Sequence, residues 1–578
     1  MTWNNTVYLL IVGMAVATVF VACQNSGGGQ NESEVDVFAD HVRSTEAVEA
    51  MEAKKRFRLP DGFEIELFAS EPQIGKPMNM AFDARGRLWV SQTTAYPFPA
   101  GPGKGKDRIT ILEDTDGDGR ADVFTDVADT LNIPIGILPY RDGVISFSIP
   151  NIYYFPELRT QGTDSTKVLV GAFGYKDTHG MINGLTRGFD GWIYACHGFS
   201  NESDAKGTDG SRLVLSSGNT FRFQVDGSRL QQTTSGRVNP FGLAFDERGY
   251  LYSVDCHSSP LYQLITGGEY PHFGKMEGGI GYAPEMKPHD QEATALAGIA
   301  YYADDRFPEA YCNNFYVGDV VKSRIYRYAV DWCGSSPVGR QEDDFLTTDD
   351  PWFRPVDVQM GPDGALYVAD FYNRIIGHYE VPLDHPGRDR ERGRIWKITY
   401  KGPGVAAQGK ESRTDWSSAS IKELLQGLKR NNLKERMLIT DRLADVIGSS
   451  PHNYGMWWHE QAMDADGDAA WRLHGINRMF SQAHALELAD IDGDGIPDLI
   501  TGKRYYAHNG HDPGAKEPAV LYWFESVVEG SGPSWIPHEI DNNSGVGLQV
   551  LAKDVNGDGL LDIVAANKKG VHYFERIH

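Results

Sequence analysis

One phrase recurs along the first 400 residues, a polar turn and then a short apolar strand that ends on a polar group. It reads Phe82-Asp83-Ala84-Arg85-Gly86-Arg87-Leu88-Trp89-Val90, then Phe189-Asp190-Gly191-Trp192-Ile193-Tyr194, then Phe245-Asp246-Glu247-Arg248-Gly249-Tyr250-Leu251-Tyr252, and last Met360-Gly361-Pro362-Asp363-Gly364-Ala365-Leu366-Tyr367-Val368. Looser copies run from Ile137 to Ser148 and from Ile299 to Asp319. Each unit is strand, turn, strand with no helical spacing between, so the repeats are sheets set about an axis. Six copies predict a mainly β chain built on a six-bladed β-propeller. Phe63 to Phe68 and Arg394 to Tyr400 both alternate with period two, and one of these outer strands should close the ring by joining the other's sheet.

The net charge of −24 sets nucleic acid aside as a partner, because phosphate binding needs clustered Lys and Arg. Val7 to Val21 is an apolar run of about 15 residues, short of the roughly 20 that span a membrane. It ends at Phe20-Val21-Ala22-Cys23, which resembles a bacterial lipoprotein cleavage box with Cys23 as the lipidated residue. The expectation is an exported, lipid-anchored envelope protein, periplasmic or surface-exposed, that meets the membrane through its lipid only. Cys196, Cys256, Cys312 and Cys333 have no CxxC or CxxCH spacing, which sets aside a zinc ribbon and covalent haem. They are packed thiols or disulfides, and Cys312 with Cys333 could close one hairpin.

The expected order is a signal peptide over 1–23, a tether over 24–55 and the propeller over 56–402. A helical linker resembling a single HEAT repeat follows over 403–479, and a β-rich segment over 480–578. Capping boxes at Ser420 with Glu423 and at Asn432 with Glu435 open the two linker helices.

Three loops repeat one spacing of oxygen donors: Asp114, Asp116, Asp118 and Asp122; Asp490, Asp492, Asp494 and Asp498; Asp554, Asn556, Asp558 and Asp562. Hard cations need several oxygens on a short flexible loop, and the glycines permit the sharp turn. Structural Ca²⁺ is the expected occupant. The last two loops resemble the FG-GAP repeats of integrin-type propellers, a likeness that implies a calcium-binding module in which the final aspartate completes the site. Asp464 to Asp468 is an incomplete copy and reads as a turn.

In a blade, the loop entering the first strand and the loop leaving the second share one end. That register gathers Gln92, His197, Asp255, Asp319 and Asp370 with Asn79, His179, Asn183, Arg237, Asn239 and Arg354. Convergent polar groups of this mixture suit a polar ligand or a redox site. The bland alternative is that the aspartates only cap strand ends.

Asp177 to Leu185, Arg237 to Phe245, Phe353 to Val358 and Asp370 to Glu380 carry a family resemblance. They resemble the membrane-bound dehydrogenase domain of large Planctomycetes and Verrucomicrobia proteins. More distantly the region is similar to soluble glucose and sorbosone dehydrogenases that use pyrroloquinoline quinone. The resemblance implies His179 as the base that takes a proton from a sugar hydroxyl, and Arg237 as the charge stabiliser. Asn239, Arg354, Asp370 and Lys322 would hold cofactor or substrate. Val238 separates Arg237 from Asn239, and Val321 stands at the quinone lysine's position with Lys322 one place on, a shift that reverses a strand side chain. The implied activity is oxidation of a carbohydrate-type alcohol or aldehyde with a quinone cofactor, pyrroloquinoline quinone (PQQ), and with a separate molecule as the onward electron acceptor. The alternative is a non-catalytic, calcium-stabilised surface protein that binds glycan or another protein.

Overall fold

Each repeat phrase folds as a turn held by its own aspartate. Asp83 Oδ1 accepts from the amides of Arg85 and Arg87, and Asp246 Oδ1 from those of Arg248 and Tyr250, all at 2.9 Å. The second carboxylate oxygen takes an aromatic donor from the following strand. Trp89 Nε1 reaches Asp83 at 2.9 Å, Tyr194 reaches Asp190 at 2.7 Å, Tyr252 reaches Asp246 at 3.0 Å and Tyr367 reaches Asp363 at 2.9 Å. Glycines at positive φ make the turn: Gly86, Gly191, Gly249 and Gly364. The recurring Asp, Gly and aromatic are thus one hydrogen-bonded device used four times.

The computed structural model describes residues 42–577 except 142, 158–165, 273–280, 288–294, 377–380, 404–414, 420, 443–445, 451, 464–468, 495 and 530–531. Cys23, the signal segment, most of the tether, Ser420 and the Asp464–Asp468 turn lie outside the described residues. The described chain is mainly β, with short helices α1 (Ala50–Lys54), α2 (Ile421–Gly427) and α3 (Leu433–Arg442). None of its helices is long and apolar enough to cross a membrane.

Between Phe57 and Tyr400 the strands form six sheets, antiparallel but for one short parallel edge pair in the third. Their first strands are Lys76–Phe82, Ile135–Tyr140, Asn183–Arg187, Pro240–Phe245, Leu296–Tyr302 and Pro355–Met360. These lie against one another in chain order, and the sixth lies against the first. Apolar clusters fill the spaces between neighbouring sheets, as where Trp89 and Ile111 meet Ile137 and Val144. Phe63–Ser70, from the start of the region, pairs with Arg394–Tyr400 in the sixth sheet, as the alternation predicts.

Every first strand carries a register shift near its entry. Four of these shifts hold a glycine at positive φ: Gly136, Gly184, Gly242 and Gly298. The glycines let the sheets approach, since a Cβ on Gly298 would stand 2.6 Å from Asp357 Cα in the next sheet. Polar side chains cross the same gaps. Asn79 Oδ1 accepts from Gly136 N at 2.8 Å, Asn183 Oδ1 from Gly242 N at 3.0 Å, and Asp357 Oδ2 from Met80 N at 2.8 Å.

Helix α3 lies across the turn end of the ring. Asn432 caps it, accepting from Glu435 N at 2.8 Å, and donates to Asp304 at 2.6 Å. At the far end of α3, Asp441 meets Arg187 of the third sheet at 2.7 Å. Glu435 pairs with Arg430 at 3.0 Å, so the capping box forms in one direction only.

Residues 446–481 correct the expected helical linker. Val446–Ser449, Tyr454–Met463 and Ala469–Ser481 form a three-stranded antiparallel sheet. The aromatic run around Trp457 and Trp458 suits a pleated, half-buried surface, and Met456 and Trp458 are buried on alternate positions. The tether is corrected in part, because its described end, 42–55, docks on the ring. The described cysteines are free thiols, which corrects the pairing of Cys312 with Cys333. Cys312 Sγ donates to Asp304 O at 3.0 Å, and Cys333 is exposed at a hairpin end.

Candidate functional site

At the end of the ring opposite α3, most of the expected polar groups act as clamps. Asp255 Oδ2 accepts from the amides of Val238 and Asn239, each at 2.8 Å, which ties the strand exit to the loop entering the same sheet. Asp370 Oδ1 accepts from Arg354 N at 2.8 Å and its Oδ2 from Trp396 Nε1 at 3.1 Å. Burial lifts the Asp370 carboxyl to about 6. Asp319 Oδ1 takes the amides of Val321 and Lys322 at 2.9 Å, and Gln92 takes Gly75 N at 2.7 Å. His197 is buried between Ser217 O at 2.9 Å and Ser203 Oγ at 2.8 Å, and burial lowers its pKa.

The two arginines are also held inside the wall. Arg237 sits at φ 65° with its side chain fully buried between the third and fourth sheets. Its guanidinium donates to Ser253 Oγ at 2.9 Å and to Thr220 Oγ1. Arg354 donates to Val320 O at 2.6 Å and Asn373 O at 3.0 Å, and burial beside Arg43 pulls it down to about 9. Residues 43–48 run over this part of the end, with Trp352 donating to Thr45 O and Val48 N to the Tyr372 hydroxyl, both at 2.9 Å.

His179 is placed differently. The turn Thr178–Gly180 is capped by Asp177, which accepts from His179 N at 2.9 Å and lies 3.2 Å from His179 Nδ1. Tyr96, from the first sheet's exit loop, stands edge-on to His179 at 5.2 Å and to Phe371 at 5.7 Å. Thr178 Oγ1 donates to Pro97 O at 2.9 Å, and Arg390 donates to the carbonyls of Thr94 and Ala95 at 3.2 Å, which ties the loops together. Asn239 Nδ2 donates to His179 O at 3.2 Å and lies 3.9 Å from Cys256 Sγ. Burial, with Asp177 nearby, raises the Tyr96 hydroxyl far above its ordinary range, and Arg388 beside it works the other way.

The backbones of His179, Arg237 and Asp370 therefore share one end, as the register predicts, while their side chains diverge. Tyr96, Asp177 and Arg388 are site groups that the sequence reading did not single out. Asp177 stands two places before His179, the spacing of a short polar cap, and that signal was readable. Of the cations nominated for a bound quinone, Arg237 and Arg354 do not fit it, because an anionic cofactor needs cations facing one cavity and theirs are bonded within the wall.

Among the acidic loops, one carboxylate oxygen from each of Asp114, Asp116 and Asp118 lies within 4.8 Å of the others, and Asp490, Asp492 and Asp494 do the same. All-oxygen donors at this separation fit a hard cation. The final aspartates face backbone instead. Asp498 takes Ile491 N and Ser526 N at 2.9 Å, Asp562 takes Val555 N and Arg576 N at 3.0 Å, and Asp122 takes Thr115 N at 3.2 Å. In the third loop Asn556 turns its amide nitrogen to Asp558 at 3.0 Å, beside the Asp554 carboxylate that holds Gly559 N.

A ring of antiparallel sheets with a polar end is the class these observations define. The chain matches the family described as a domain of unknown function (DUF7133) over residues 49–402, and it belongs to that family. No curated protein matches it. Among solved structures it is similar to the PQQ-bound aldose sugar dehydrogenase of Streptomyces coelicolor, at 17% identity over 59% of this chain and 100% of that one, TM-score 0.37. It is similar to a luciferin-regenerating enzyme at 14% identity over 60% and 97% of the two chains, TM-score 0.37. A catalytically inactive virginiamycin B lyase from Staphylococcus aureus follows at 13% identity over 58% and 99%, TM-score 0.32. Likenesses this distant carry no argument about chemistry here.

Proposed function

We propose that this is an exported lipoprotein whose six-bladed, sugar-dehydrogenase-like β-propeller acts on a carbohydrate-type alcohol or aldehyde at the His179 end. The observation that carries the reading is the His179–Asp177 pair, 3.2 Å apart, set against Tyr96 at that end of the ring. A carboxylate on Nδ1 orients an imidazole so that Nε2 is its basic nitrogen. His179 takes the hydroxyl proton, and the hydride passes to a separate electron acceptor, since the wall-bound arginines do not cradle a resident one. Ca²⁺ at the Asp114 and Asp490 loops is structural.

The purified full chain, loaded with calcium and given a panel of aldoses and an electron-accepting dye, should reduce the dye with some sugar. His179→Ala should lose that activity by 10²-fold or more, on the order expected for a general base. Sugar-dependent reduction that survives His179→Ala would remove the reading.

A second reading has its own support. Asp255, Asp370, Arg237 and Arg354 are all spent on internal bonds, as in a ring that binds without catalysing. Glycan or protein binding without any dye reduction, unchanged in His179→Ala, would favour this calcium-stabilised binding protein.

A further inference from the structure

The third sheet holds a cavity that the reading above does not use. The strand Glu269–Tyr270 runs parallel to Gln231–Gly236 at the sheet's outer edge, pairing Ser235 with Glu269. Together with the outer hairpin of the second sheet it encloses about 190 Å³, lined among others by Ser216, Gln232, Ser235, Glu269, His272 and Tyr282. Water's share of liquid volume is about 30 Å³, so the space equals roughly six waters, the scale of one sugar ring. The lining holds hydroxyls, two carboxamides, a carboxylate and an imidazole, with the ring of Tyr270 and the aliphatic Val214 beside them. No lysine or arginine is among these lining residues, and the one formal charge is negative. A lining without cations and rich in hydroxyls and carboxamides suits a neutral, hydroxyl-rich ligand.

The cavity is also joined to the His179 turn. His272 Nε2 lies 3.1 Å from Ser217 Oγ, next to the lining residue Ser216. Ser217 N donates to Asn201 O at 2.9 Å. Asn201 Nδ2 in turn donates to Asp177 O at 2.8 Å and Gly180 O at 2.9 Å, on either side of His179. The rim cavity and the candidate site thus share one end of the ring and one bonded loop system.

We propose that this cavity is an outer subsite for one neutral sugar unit of an oligosaccharide whose chain leads toward the His179 end. The direction of that chain rests on the function proposed above, while the subsite itself rests on the cavity. Its test is calorimetric binding of neutral saccharides (glucose, then malto-, cello-, xylo- and chito-tetraose) to the calcium-loaded full chain. Three proteins are compared: wild type, Ser216→Trp and His179→Ala. Ser216 is exposed, so tryptophan there fills the cavity without entering the core, and unchanged circular dichroism confirms the fold.

At least one tetraose should bind tenfold or more tighter than glucose, and Ser216→Trp should lose that advantage while His179→Ala keeps it. Equal affinity for the tetraoses and glucose, a tetraose preference that survives Ser216→Trp, or no saccharide binding at all would each overturn the proposal. Dye reduction with glucose that Ser216→Trp leaves intact, alongside an unchanged tetraose preference, would sink the subsite alone. Tetraose binding lost in Ser216→Trp, with no dye reduction in any protein, would keep the subsite and sink the His179 reading.

Discussion

The two β regions of this chain use repetition differently. In the ring every sheet has a neighbour on both sides, and the borrowed strand Phe63–Ser70 joins the ends. After α3 the sheets stack in series. Leu499 and Phe524 of the four-stranded sheet face Met456 and Phe480 of the sheet before it, while Ile500 and Leu521 face Val550 and Ile563 of the sheet after it. The outer face of that last sheet leaves Leu551 at 48%, Val571 at 74% and Tyr573 at 45% exposure. A repeated strand motif specifies how one sheet meets the next. Closing the circle takes a further device, here a strand from the far end of the region.

The comparison breaks most sharply at the glycines. Gly298→Val would press a side chain into Asp357 of the next sheet at a φ of +68° and should cost the ring about 4 kcal/mol or more. Gly475→Ala, with open space around it in the serial region, should stay within about 0.5 kcal/mol. Urea unfolding of the two variants measures the difference, and equal losses would deny the ring its tighter packing.

Phe63→Ala removes a ring that meets Phe307, Tyr311, Phe345 and Tyr400 at 4.8 to 5.0 Å, where the borrowed strand bridges the fifth and sixth sheets. About 3–4 kcal/mol should be lost, on the scale of buried Phe truncations. Thermal unfolding would show this as a ring transition shifted down by several degrees, with the C-terminal sheets unmoved.

Asp357 gives the ring a pH dependence. Burial raises its carboxyl to about 6, although the amides of Met80 and Val358 work against that. An unfolded aspartate releases its proton near pH 4, so between about pH 4 and 6 the folded ring holds the extra proton. Stability from this group is therefore full below pH 4 and falls by about 2–3 kcal/mol as pH rises through 6. Denaturation at pH 4.5 and 7 should show the slope, and Asp357→Asn should flatten it. The smallest effect belongs to the open stack. Val571→Ser, on the uncovered outer face, should change stability by less than about 0.5 kcal/mol.

Much of the architecture was readable because its devices are local. The Asp, Gly and aromatic of each phrase lie within six or so residues of one another, and the alternation in Phe63–Ser70 marks a strand wherever it docks. The sheet over 446–481 escaped notice because its long strands are joined around an acidic stretch that reads as an isolated turn. The candidate site was legible as a set of positions and not as a set of roles. His197, Arg237 and Asp370 look like site groups in the sequence, yet each is paired with atoms on distant or neighbouring loops that composition does not reveal. Tyr96 and Arg388 carry no motif, and only packing brings Tyr96 against His179 and Arg388 near Tyr96.

The sequence by itself determined the turns, the strands and the end of the ring at which each polar residue emerges, because these follow from backbone preference and period over a few residues. Which polar groups clamp the wall and which stand at the mouth was decided by tertiary structure alone. A buried donor or acceptor must find a partner, and that partner is chosen by the sheets that arrive next to it.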